Sequence, residues 1–183
     1  YAVPPDNPLR ADQGRTEIYA WGFRNPYRIA FDPAGHDGAF VSAVGETLWE
    51  AVYLVDRPGN YGWAVREGRH CFDRATPLAP PAECATRDAL GHAFRDPIVE
   101  YPNRAIEQPG VEVDGPREGL GTASVGGRVY RGAAIPALDG ALLVADWTSR
   151  ISFRPRLGQV SSRSPSRSSI RRRAFYSSAT SCR

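Results

Sequence analysis

The sequence predicts an all-β fold, and three features carry that expectation. Bulky apolar and aromatic residues come in short alternating runs, as at 18–23, where Ile18, Ala20 and Gly22 alternate with Tyr19, Trp21 and Phe23. Glycine and proline are frequent, at 18 and 16 of the 183 residues, and they break the runs as turns do. No long segment repeats its apolar residues at the helical period. With 42% hydrophobic residues the chain can build one ordinary domain. No run of 18 apolar residues occurs, so no membrane-spanning helix is expected.

Residues 1–16 read as loop, from Pro4-Pro5 through Asp6-Asn7-Pro8 to Asp12-Gln13-Gly14. The strand at 18–23 stops at Arg24-Asn25-Pro26, because Pro26 has no N–H for a ladder and biases Asn25 away from helix. A second strand follows at 27–31, closed by Asp32-Pro33 and a glycine-rich turn at 35–38. Two more are expected at 39–44 and 51–56, joined sharply through Gly45-Glu46-Thr47. Residues 17–58 thus hold four short strands, and Pro58-Gly59-Asn60 turns the chain into Tyr61-Gly62-Trp63, aromatics suited to packing at a corner. The segment 66–96 is long, polar and proline-rich, and reads as an irregular excursion. Further strands are expected at 98–101, 127–130 and 141–145, with another beginning at 151–153.

From 158 onward the composition changes. The tail is rich in serine and arginine, poor in apolar residues and without strand pattern, so it is expected to be disordered. All 23 basic residues are arginine, and nine of them lie at or after Arg150 with no acid among them. That leaves 14 basic against 20 acidic residues before it, a net of −6. The apparent basicity belongs to the tail, and no nucleic-acid partner is expected for the body.

Six blocks, GFRNPYRIAFDP (22–33), AVGETLWEAVYLV (43–55), GNYGWAVREG (59–68), DPIVEY (96–101), GGRVYRG (126–132) and LLVADW (142–147), resemble in order the soluble quinoprotein sugar dehydrogenases of the glucose/sorbosone dehydrogenase family. The resemblance covers roughly residues 1–147. It implies a six-bladed β-propeller that holds pyrroloquinoline quinone (PQQ) and calcium. This chain would supply about half of the blades, with irregular rim loops. The expected division is a partial propeller at 1–157 and a tail at 158–183, where a frameshift in a GC-rich gene would write such a serine/arginine text. YAVPPDNPL at the start resembles a mid-protein segment of the family. A partial propeller leaves edge strands unpaired and one blade face open, so marginal stability is expected.

The resemblance also implies roles. The family's Arg-Asn pair, here Arg24 and Asn25, contacts the cofactor, and a guanidinium fork with a carboxamide suits an anionic tricarboxylate with quinone oxygens. The plainer reading of the same residues is that Asn25 caps a turn and Arg24 pairs with an acid. The family's calcium is met by main-chain carbonyls of a loop close to Asp-Val-Gly-Gln; this chain has Ala43-Val44-Gly45-Glu46, which makes Gly45 and Glu46 the candidate metal residues. The plainer alternative is a tight hairpin connection. Cys71 and Cys84 stand where relatives carry a cysteine pair, so a disulfide is expected, and with it an oxidising compartment, periplasmic or extracellular. Cys182, in the tail, has no role. The family's catalytic base is a histidine upstream of Tyr1; His36, His70 and His92 match no such motif and are expected at the surface, so no catalytic residue is assigned. The implied reaction is oxidation of an aldose to its lactone, with electrons passing to PQQ and on to an acceptor. The alternative is a non-enzymatic extracellular propeller that binds a protein partner, as in the related hedgehog-interacting proteins.

Overall fold

In the computed structural model, which describes residues 2–35, 37–111 and 118–149 and the backbone of 152–153, the β-rich runs pair largely as antiparallel ladders. In chain order the strands are β1 (Ala20–Trp21), β2 (Pro26–Phe31), β3 (Ala39–Ala43), β4 (Trp49–Val55), β5 (Gly59–Asn60), β6 (Arg66–Glu67), β7 (His70–Cys71), β8 (Val99–Pro102), β9 (Ser124–Val129), β10 (Leu142–Asp146) and β11 (Ser152–Phe153). Short 3-10 turns occupy Arg104–Glu107 and Pro136–Leu138. One sheet has the order β2-β3-β4-β8 and a second the order β9-β10-β11. The edge strand β9 lies against β2 and β3, so the two sheets sit side by side like neighbouring blades. Among the described residues neither sheet closes on itself. The tail expected at 158–183 lies outside the described residues.

The four-stranded sheet corrects one expectation. Residues 17–58 were to hold all four of its strands, yet only β2, β3 and β4 come from there. The fourth, β8, arrives from beyond the excursion and pairs Val99 with Val52 and Pro102 with Trp49. The run at 18–23 keeps only β1, which pairs in parallel with β5. The cause is local. Gly22 has φ +78°, and a side chain there would meet the Gly62 nitrogen at 2.7 Å. The chain therefore bends away from β2 and runs beside 59–63, where Tyr61 N–H donates to the Trp21 carbonyl at 2.8 Å.

Period-two patterning then sorts the side chains. One face of the four-stranded sheet buries Val41, Ala43, Ala51, Tyr53 and Val55 under Tyr61 and Phe23, whose rings stack at 4.5 Å. The other face buries Phe40 and Val52 against Val129, Leu142 and Val144 of the second sheet. A third cluster gathers Leu48, Trp49, Ile106 and Val111. On β2 the pattern leaves a row uncovered: Tyr27, Ile29 and Phe31 are 56%, 59% and 68% exposed.

Polar groups tie the sheets across long sequence distances. The Arg131 fork holds the buried Asp32 carboxylate at 3.0 and 2.6 Å. Asp146 accepts from Tyr101 Oη at 2.7 Å and from the amides of Thr122, Ala123, Thr148 and Ser149. The excursion is irregular apart from the β6–β7 hairpin, and Cys71 and Cys84 are joined, 13 residues apart. Closing a loop of that size stabilises the chain by about 3 kcal/mol, chiefly by restricting the unfolded state. Reduction, or Cys71→Ser with Cys84→Ser, is expected to lower the unfolding free energy by that amount, read as a fall in the urea midpoint. An unchanged midpoint would mean that the excursion is already ordered by its other contacts.

Candidate functional site

The site forms where β3 turns into β4. Gly45 begins that turn because nothing larger fits: a Cβ there would lie 1.9 Å from the Trp49 carbonyl oxygen. The loop faces Arg24 across the end of β2. Arg24 Nε donates to Glu46 Oε2 at 2.7 Å, and its Nη1 donates to the Gly45 carbonyl at 2.7 Å. A second guanidinium, Arg74 from the excursion, lies 4.0 Å from the same Glu46 carboxylate and over the Trp63 ring. A carbonyl and a carboxylate therefore converge on one cationic group.

Behind this pair lies a cleft lined by Arg24, Gly45, Trp49, Tyr53, Trp63 and Arg66, together with Glu67 and Gly68. Arg66 reaches it from β6 with its guanidinium anchored on Asp96 at 3.2 Å. The wall is thus aromatic and cationic at once.

Two buried carboxylates hold the loop from beneath. Glu67 accepts from the amides of Glu46, Thr47 and Leu48, and Glu50 accepts from those of Gly45 and Ser124 and from Asn103 Nδ2. Burial outweighs these donors. It pushes the Glu50 carboxyl from the ordinary 4.5 up to about 7, and it raises Glu67 as well.

Of the residues singled out in the sequence, Arg24, Gly45 and Glu46 come together. Asn25 is exposed and does not line the cleft; its carbonyl accepts from Val44 N–H at 2.9 Å. The ion pair of Arg24 with an acid, the plainer of the two readings, is present. His70 and His92 depart from the surface expectation. His70 stacks on Trp49 with ring centres 3.7 Å apart and its Nε2 lies 3.4 Å from Glu100. His92 sets Nδ1 3.1 Å from Asp88 and its ring edge-on to Trp21. Both are drawn in because an aromatic ring and a carboxylate meet at each position; the rings and Glu100 come from residues distant in sequence, and Asp88 lies four residues before His92. His36 lies outside the described residues. Arg66, Glu50 and Glu67 were not singled out, although all three stand inside the blocks 43–55 and 59–68. Among the described residues no group of three or more His, Cys, Asp or Glu is placed to hold a metal ion.

Two antiparallel sheets that meet where the edge strand β9 of one lies against β2 and β3 of the other, with a cleft at the turn end of one, are the architecture of β-propeller blades. A crystal structure of glucose dehydrogenase has the same fold, with a TM-score of 0.55, 22% identity, and coverage of 85% of this chain and 38% of that one. The chain matches the glucose/sorbosone dehydrogenase family model over residues 2–86. It is also similar to HIPL1 protein of Arabidopsis thaliana, 33% identical over 147 residues, and spans 80% of its own length but 19% of that relative's. A PQQ-bound aldose sugar dehydrogenase of Streptomyces coelicolor aligns at 18% identity with a TM-score of 0.47, over 83% of this chain and 31% of that one.

Proposed function

We propose that this chain forms the cofactor-side wall of a quinoprotein sugar dehydrogenase, which oxidises an aldose to its lactone and hands two electrons to PQQ and then to an acceptor. The observation that carries the reading is the convergence of Arg24, the Gly45 carbonyl and Glu46 at the mouth of an aromatic, cationic cleft. The donor set suits both groups. Carbonyl and carboxylate oxygens are the ligands calcium takes, and they already hold a cation here. Guanidinium groups on a wall of flat aromatics suit a flat anionic ring. Arg24, with the amide of Asn25 exposed beside it, would hold the cofactor's oxygens; the Gly45 carbonyl and the Glu46 carboxylate would hold calcium. When bound, the quinone supplies the two-electron acceptor. The chain's own part is to bind, to orient and to keep water from one side of the ring. No histidine among the described residues lines the cleft, so none is given the proton. The disulfide supports an oxidising compartment, periplasmic or extracellular, and no helix of the described residues is long and apolar enough to cross a membrane.

Titrating PQQ in the presence of calcium and following quenching of tryptophan emission tests this reading. Saturable quenching is expected, and Arg24→Gln should weaken it roughly 10–100-fold, as the loss of a charge-assisted hydrogen bond implies. Absence of saturable binding would remove the dehydrogenase reading. One observation favours a second function, an extracellular propeller that binds a protein partner without redox chemistry: the Arg24 Nε and Nη1 already donate to Glu46 and Gly45 of the chain itself. Under that reading PQQ leaves the emission unchanged.

A further inference from the structure

The loop between β3 and β4 has its amides turned inward. Glu67, 3% exposed, accepts from the backbone N–H of Glu46, from that of Thr47 at 2.7 Å and from that of Leu48 at 2.9 Å. Glu50, 0% exposed, accepts from Gly45 N–H at 3.2 Å and is itself braced by Ser124 N–H and Asn103 Nδ2, each at 2.9 Å. Four successive amides, at 45–48, therefore point at two buried carboxylates. In a planar trans peptide the N–H of one residue and the C=O of the residue before it point in opposite directions. The carbonyls of residues 44–47 are accordingly turned away from the carboxylates. The Gly45 carbonyl, which shares its plane with the Glu46 amide, is the one that receives Arg24 in the cleft.

We propose that Glu67, assisted by Glu50, is a positioning residue that turns this row of carbonyls outward as a rim for a hard divalent cation. The carboxylates act through the backbone and do not touch the cation. Three features fit this role together. The hydrogen bonds that the glutamates accept from the loop come from main-chain groups that no side-chain change in the loop would alter. Gly45 leaves no room for a Cβ between the Trp49 carbonyl and Glu67 Oε1, at 1.9 and 2.8 Å. The carbonyl so presented already accepts from a cationic side chain. A loop held in this way keeps its oxygens in place whether position 46 carries Glu or Gln.

The proposal rests on reading the loop as a cation site, so its test separates the two. Calcium chloride alone is titrated calorimetrically into the 183-residue chain and into Glu67→Gln and Glu50→Gln, with amide hydrogen exchange recorded on the same samples. Glutamine keeps the size but turns an NH2 group on amides that need an acceptor. Glu67→Gln is expected to weaken calcium binding roughly 10–100-fold, as loss of an outer-shell partner does. It should also lose protection at 46–48 while β3 and β4 keep theirs. Glu50→Gln, which frees the Gly45 amide, should give a smaller loss of affinity and serves alone if Glu67→Gln does not fold. Faster exchange in the loop with calcium affinity unchanged would overturn the positioning role. A wild-type chain that takes up no calcium while its loop amides stay protected would overturn the cation site instead, and the role with it.

Discussion

Phe40→Ala is expected to lower stability by about 3–5 kcal/mol, the cost of emptying a fully packed aromatic position. Phe40 is 2% exposed and stands on β3 at the seam between the sheets, against Val129, Leu142 and Val144 of the second one. Its loss removes the central piece of the only apolar layer described between the two blades, so the second sheet should loosen before the first. Urea unfolding followed at once by far-ultraviolet dichroism and by exchange of the β9 and β10 amides would show that order. Phe31→Ala makes the control. Phe31 is 68% exposed on β2, one strand away, and its removal should stay within about 0.5 kcal/mol. If both variants lose the same stability, the seam does not hold the blades together and the described packing is wrong.

The contrast between Phe40 and Phe31 also marks what the sequence can reveal. Strands β3 and β4 stand within two residues of expectation because alternation of bulky apolar residues states both their existence and their buried face. The same alternation gives β2 an apolar row, but no pattern in one chain says that the described residues leave that row exposed. The run at 18–23 has the composition of a strand, and yet most of it forms none. Its fate is decided by Gly22 and by the 59–63 segment, a tertiary effect invisible to local propensity. The fourth strand of the blade could be seen at 98–101, but not that it would return across an excursion of some thirty residues to pair with β4.

The candidate site divides along the same line. Arg24, Gly45 and Glu46 were legible because the family's blocks carry them, and their encounter across 21 and 22 residues follows from the pairing of β2 with β3. Glu50 and Glu67 were not. A glutamate in a strand sequence reads as solvent-facing, and only the folded chain shows that Glu50 is 0% exposed and Glu67 3% exposed. Their burial is intelligible once the loop is in view, since the turn has a row of amides that strand pairing leaves without acceptors, and an unpaired buried amide is costly.

That burial makes stability depend on pH in an unusual direction. Folded Glu50 keeps its proton up to about pH 7, whereas the unfolded chain releases it near 4.5. A raised folded value means that the stabilisation from the protonated form is complete below the unfolded value and is lost as pH rises through the folded one. Between those limits Glu50 alone removes roughly 3 kcal/mol, at 1.36 kcal/mol per pH unit. Glu67 is shifted the same way and adds to the loss. Glu100, Asp88 and Asp146 work against it in acid. Their folded values are lowered, with Glu100 held by His70 and Arg69, Asp88 by Asn60 and His92, and Asp146 by Tyr101 and loop amides, so their stabilisation disappears as pH falls. Stability should therefore peak at about pH 5 and decline toward neutrality. Urea midpoints measured from about pH 4.5 to about pH 7.5 test this, and Glu50→Gln should flatten most of the decline because its amide does not titrate. A wild-type midpoint that rises steadily to neutral pH would mean that the backbone donors around Glu50 outweigh its burial and keep the carboxylate ionised.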